Sequence, residues 1–67
     1  MKLELAREIV TYCYILDYKR MLYRYYKTEI MQAIRTIESR KSSTSEDKQY
    51  ADIVYWKIAF RPIKQKG

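Results

Sequence analysis

The chain has no His and no Asn, and only one Cys (Cys13), one Pro (Pro62) and one Gly (Gly67). Each scarcity closes a class of function. A lone Cys cannot build a disulfide framework, and without His it cannot complete a Cys/His zinc set. Missing His also removes the side chain that most often moves protons at neutral pH. Phosphate loops need several glycines at fixed spacing, so they are excluded as well. Without Asn the usual bidentate reader of adenine is gone, leaving Arg and Gln. Neither a cofactor nor a metal is expected.

Long apolar runs are absent too. The longest is Tyr12-Cys13-Tyr14-Ile15-Leu16, stopped by Asp17, far short of the ~20 residues that cross a bilayer. Glu4, Arg7 and Glu8 fall where the apolar part of a signal peptide would begin. An unpaired Cys fits a reducing compartment. The expectation is a soluble, intracellular (cytoplasmic) protein with no transmembrane segment.

What is present is charge, aliphatic residues and tyrosine. The 67 residues carry 14 Lys or Arg against 8 Asp or Glu, for a formal net charge of +6. Hydrophobic residues make up 48% and charged residues 33%, the composition of a folded chain rather than a disordered one. Length allows one small domain, whose folding balance as a monomer lies near zero. Of the eight Tyr, six lie between Tyr12 and Tyr26.

No Gly, Pro or Asn interrupts the chain from Lys2 to Arg40. Apolar residues recur there in steps of four and three: Leu5, Ile9, Tyr12, Leu16, then Lys19, then Tyr23, Tyr26, Ile30, Ala33 and Ile37. Only a helix gathers these positions onto one face. The pattern predicts a long helix over about 2–39, with Lys19 the one misfit in a heptad-like seam.

A Ser-rich loop follows over about 40–44, because runs of Ser and Thr compete with the backbone for hydrogen bonds. Ser43 and Glu46 have capping-box spacing, which opens a second helix over about 45–61, stopped by Pro62. The alternative for 53–60 is a strand, since Val54, Trp56, Ile58 and Phe60 alternate. The cap signal favours helix, with Trp56 in the core. Residues 62–67 form a basic tail. The fold class is therefore all-α, a helical hairpin in one domain.

A helix of ~37 residues is about 55 Å long, and one of ~17 residues covers less than half of it. The Leu5, Ile9, Tyr12 and Leu16 end would then face water, which soluble monomers seldom allow. Two remedies exist. Two chains can pair into a dimeric bundle through Leu5, Ile9, Tyr12, Leu16, Tyr23, Ile30 and Ile37. Otherwise the first helix breaks near Lys27-Thr28-Glu29 and folds back as a three-helix bundle. The homodimer is favoured because no helix-breaking residue marks that break.

Three surfaces suggest function. Tyr14, Tyr18, Met21 and Tyr25 fall at i, i+4, i+7 and i+11, and with Arg20 and Arg24 they read as a docking stripe for a protein partner. The plainer alternative is burial inside an oligomer. Lys19, Arg20, Arg24 and Lys27 form an acid-free basic segment among Tyr23, Tyr25 and Tyr26, suited to phosphates and unpaired bases, or simply a solvated face. Lys57, Arg61, Lys64 and Lys66 form a second basic cluster beside Trp56 and Phe60. It reads as an anion-binding arm or as a solubilising tail. Cys13 reads as a small buried hydrophobe. The carboxylates are scattered, and no catalytic residues are assigned.

The leading expectation is a small, non-enzymatic regulatory or inhibitory protein acting through protein–protein contact as a helical-bundle dimer. The alternative is a basic nucleic-acid-binding accessory protein with weak sequence preference. A third is a structural, self-assembling bundle.

Overall fold

The computed structural model describes residues 1–59. Arg61, Pro62, Lys64 and Lys66, with the expected helix end and basic tail, lie outside the described residues. Among the described residues four helices follow in order: α1 Leu3–Ile15, α2 Tyr18–Arg24, α3 Lys27–Ser39 and α4 Ser45–Ala59. No strand occurs among the described residues, so the all-helical class stands and the strand alternative for 53–60 falls over Ile53–Ala59.

The single long helix over 2–39 does not form. It is cut twice, each time by two extended residues: Leu16 (φ −80°, ψ 152°) with Asp17 (φ −76°, ψ 173°), and Tyr25 (φ −134°, ψ 149°) with Tyr26 (φ −72°, ψ 148°). Neither cut needs Gly or Pro, because a carboxylate closes each new helix start. Asp17 Oδ1 accepts the Arg20 backbone N–H at 2.9 Å, and Glu29 Oε1 accepts the Tyr26 N–H at 3.1 Å. Caps of this kind stabilise a helix end by about 1 kcal/mol each. The larger gain is tertiary, since the cuts let the apolar face fold onto itself.

α1 and α3 pack most extensively on each other, and α4 packs against both. The directions follow from side-chain ties. Arg40 Nη2 donates to the Met1 carbonyl at 3.0 Å, joining the end of α3 to the start of α1. Arg7 pairs with Asp47 at 2.9 Å, and Lys57 reaches the carbonyls of Cys13, Tyr14 and Leu16. Thus α3 runs antiparallel to α1, while α4 runs parallel to it. The short α2 links the far ends of α1 and α3.

The core shows why this body closes. Ala6, Ile9, Val10 and Cys13 on α1 and Ile30, Ala33, Ile34 and Ile37 on α3 repeat one i, i+3, i+4, i+7 pattern, completed by Ala51, Val54 and Ile58 of α4 and Met21 of α2. Alanine on each of the three long helices lets backbones approach closely, and each buried aliphatic chain contributes about 1.5–3 kcal/mol. Trp56 is not core; it is 51% exposed, because Val54 and Ile58, four apart, fix the inward face of α4.

The second helix starts one residue later than the Ser43/Glu46 pair implies. Thr44 Oγ1 accepts the Asp47 N–H at 3.0 Å, and Asp47 Oδ2 accepts the Thr44 N–H at 3.0 Å. This reciprocal box uses Thr44 and Asp47, while the Ser43 hydroxyl donates to the Ile37 carbonyl at 2.6 Å.

Candidate functional site

The expected self-association seam is divided by the fold. Ile9, Ile30 and Ile37 are buried within the chain, Leu16 is partly buried against the core, and Leu5, Tyr12 and Tyr23 are exposed. An unbroken helix would need a second chain as cover; the divided one covers Ile9, Ile30 and Ile37 itself. Lys19 ceases to be a misfit, because it belongs to a separate helix with its own inward side.

The tyrosine stripe is likewise distributed. Tyr14 lies on α1 and stacks on Tyr50 of α4, with ring centroids 4.5 Å apart. Met21 is fully buried, and Tyr18 and Tyr25 pack partly buried against the core. The four do not share one open face.

The basic segment keeps its exposure. Met21 is the one side chain of α2 that enters the core. Opposite it on a helix stand Lys19 and Tyr23, four residues apart, with Arg20 and Leu22 on the flanks. Lys19, Arg20, Arg24 and Lys27 are all exposed. Tyr23 is 90% exposed and Tyr26 is 78% exposed, the two barest aromatic rings among the described residues. A shallow groove lined by Tyr18, Lys19, Leu22 and Tyr23 runs along this side.

The electrostatics of this end follow from the two helix caps. Asp17 and Glu29, the acids bracketing the segment, each hold a backbone N–H, and neither forms an ion pair. Among the described residues the only ion pair is Arg7–Asp47 on the α1/α4 side. Arg24 differs from the other cations. Its guanidinium lies 4.6 Å from the Tyr12 ring centroid and 5.8 Å from that of Tyr25. A hydrogen bond to Tyr25, with Tyr12 and Glu8 near by, raises its pKa further. Arg24 is thereby oriented on aromatic faces.

Lys57 has a different part from the one its sequence context suggests. Its ammonium donates to the carbonyls of Cys13 at 3.0 Å, Tyr14 at 2.7 Å and Leu16 at 3.0 Å. An ammonium has three donors, so all are engaged. They satisfy carbonyls left over where α1 ends, and the positive charge meets the negative end of the helix dipole. Burial lowers the Lys57 pKa, partly opposed by Cys13 and Asp17. Lys57 is a C-terminal cap for α1, with no donor left for a phosphate.

Sequence reasoning passed over Arg35. It shares a shallow depression on α3 with Lys27, Thr28, Met31 and Gln32. Its spacing of eight from Lys27, about two helical turns, was the available signal. Among the described residues no three His, Cys, Asp or Glu side chains gather to hold a metal ion. No described helix is long and apolar enough to cross a membrane.

No protein-family model matches the chain, and neither does any curated protein or any solved structure.

Proposed function

We propose that the chain is a non-enzymatic accessory protein that binds nucleic acid through the α2 end of the bundle. One observation carries this reading. Lys19, Arg20 and Lys27 are exposed around the bare Tyr23 and Tyr26 rings, while the neighbouring acids Asp17 and Glu29 are occupied as helix caps. Phosphates are drawn to such unpaired cations, which outnumber the two acids although each carboxylate keeps its charge, and open rings accept bases. Sequence preference would be weak, because Asn is absent.

Fluorescence anisotropy with a labelled mixed-sequence oligonucleotide tests this across a salt series. Engagement of three phosphates by Lys19, Arg20 and Lys27 gives a slope of log K against log salt of about −2 for a single strand. Replacing Lys19, Arg20 and Lys27 together by Gln should flatten that slope to near zero. A wild-type affinity that ignores salt would contradict the proposal.

A second reading, a regulatory protein working by protein contact as a homodimer, draws support from one feature. Leu5, Tyr12 and Ile15 on α1 remain 47%, 40% and 70% exposed. Light-scattering mass across a concentration series tests it; a monomer throughout would remove it.

A further inference from the structure

We infer that the α2 end selects unpaired over paired nucleic acid, with Tyr23 and Tyr26 as stacking platforms for two bases of one strand. This rests on the nucleic-acid reading above and goes further, by naming the form of the nucleic acid and the residues that distinguish it.

The rings are placed for this and contribute little to the fold. At 90% and 78% exposure, Tyr23 and Tyr26 lose almost no surface on folding, whereas Tyr18 and Tyr25 in the same segment pack against the core. Tyr12 and Tyr25 are occupied by Arg24, and Tyr14 by Tyr50. Among the described residues no such ring or cation lies over Tyr23 or Tyr26.

Their spacing suits one strand. Three residues of chain can separate their Cα atoms by at most about 10 Å, and the extended backbone of Tyr25 and Tyr26 carries Tyr26 off the axis of α2. Helical geometry puts Lys19 and Arg20 one turn before Tyr23, while Lys27 directly follows Tyr26. The segment thus carries cations within a helical turn of Tyr23 and next to Tyr26 in the chain, as a strand alternates bases with phosphates.

The preference for unpaired bases follows from where an aromatic ring can bind. Inside a duplex both faces of a base are covered by its neighbours, so stacking on a protein ring requires an unstacked base. The cations alone would favour the duplex, which carries the denser phosphate charge. A preference for the single strand must therefore come from the rings. Stacking adds roughly tenfold or more in affinity per base.

The test uses the full chain and three probes: a labelled mixed-sequence 12-nucleotide DNA single strand, the same sequence as a duplex, and heparin as a polyanion without bases. Tyr23→Leu/Tyr26→Leu removes the rings and Tyr23→Phe/Tyr26→Phe retains them, with circular dichroism confirming an unchanged helix content. The expected result is at least tenfold tighter binding of the single strand than of the duplex by wild type. The Leu variant should lose about 100-fold on the single strand, keep its heparin and duplex affinities, and keep its salt slope. The Phe variant should resemble wild type.

Equal binding of strand and duplex by wild type, or full single-strand affinity in the Leu variant, would overturn the stacking inference while leaving nucleic-acid binding intact. Binding of heparin but neither DNA, or of no probe at all, would overturn the nucleic-acid reading and the inference with it.

Discussion

The bundle of α1, α3 and α4 and the short α2 place their residues in opposite ways. In the bundle every helix turns three or four side chains inward, and long side chains tie the ends: Arg40 to Met1, Arg7 to Asp47, Lys57 to the end of α1. In α2 one side chain, Met21, is buried, while Lys19, Arg20, Leu22, Tyr23 and Arg24 are exposed. Arg7, Arg40 and Lys57 are spent on ties within the chain, whereas among the described residues the side chains of Lys19, Arg20 and Tyr23 on α2 make none. The contrast separates residues that hold the fold from residues free to meet something else, and it separates two lysines that look alike in sequence, Lys57 and Lys19.

The comparison breaks most visibly in the core. A chain of this size has a total stability of roughly 3–10 kcal/mol. Ile37→Ala, at a fully buried position of α3, should cost about 3 kcal/mol and leave much of the chain unfolded, as read by urea denaturation. A loss below about 1 kcal/mol would show that the site is not packed as described.

Alkaline pH probes the same interior. Burial pushes the Cys13 thiol from 9.0 up to about 11. Between pH 9 and pH 11 the unfolded chain therefore releases this proton while the folded chain retains it. The folded state then binds more protons, so stability falls as pH rises, by about 2–3 kcal/mol in full. Cys13→Ala should remove that part of the decline. The lowered Lys57 pKa acts in the opposite sense, and in the variant it is no longer opposed by Cys13, which lessens the alkaline decline further. An identical alkaline profile in the variant would contradict a buried thiol.

Lys57→Met sharpens the distinction between the two lysines. Loss of three charge-assisted bonds, offset by relief of desolvation, should cost about 2 kcal/mol. Oligonucleotide affinity, measured under folding conditions, should not move. For Lys19→Met the expectation is reversed: stability within about 0.5 kcal/mol of wild type and weaker binding.

A smaller effect of about 1 kcal/mol is expected from Asp17→Ala, which removes the cap at the first break. Its urea midpoint should fall slightly with circular dichroism nearly unchanged. A midpoint equal to or above wild type would mean that the break does not depend on that carboxylate.

Much of this architecture is legible in the residue pattern. In the apolar row Ile9, Ile30, Ala33 and Ile37 are core positions, because helical spacing survives division locally, while Leu5, Tyr12, Tyr23 and Tyr26 of the same row are exposed, because each break resets the inward face. The second helix is legible from its cap signal, although the Thr44/Asp47 pair lies one residue beyond Ser43/Glu46. The breaks are harder to read. Neither carries Gly or Pro, and Asp17 and Glu29 look like ordinary surface acids until the chain turns and each closes a helix start. Met21 follows from the same miss: on one continuous helix it falls on the outer stripe with Tyr14, Tyr18 and Tyr25, and on a separate α2 it points into the core. The role of Lys57 is tertiary, arising between residues more than 40 positions apart, so no local pattern signals it. The exposed cations beside Tyr23 are legible from composition; that their neighbouring acids are occupied is visible only in three dimensions.

In the proposed function the α2 end meets a ligand while the three-helix body holds it in place. The most direct measurement is a ¹⁵N–¹H correlation spectrum of the full chain titrated with the 12-nucleotide single strand. Shift changes are predicted to cluster on Lys19 to Lys27 and to leave the amides of Ile9, Ile34 and Val54 in place. Changes centred on Leu5, Tyr12 and Ile15, or none at any residue, would contradict it.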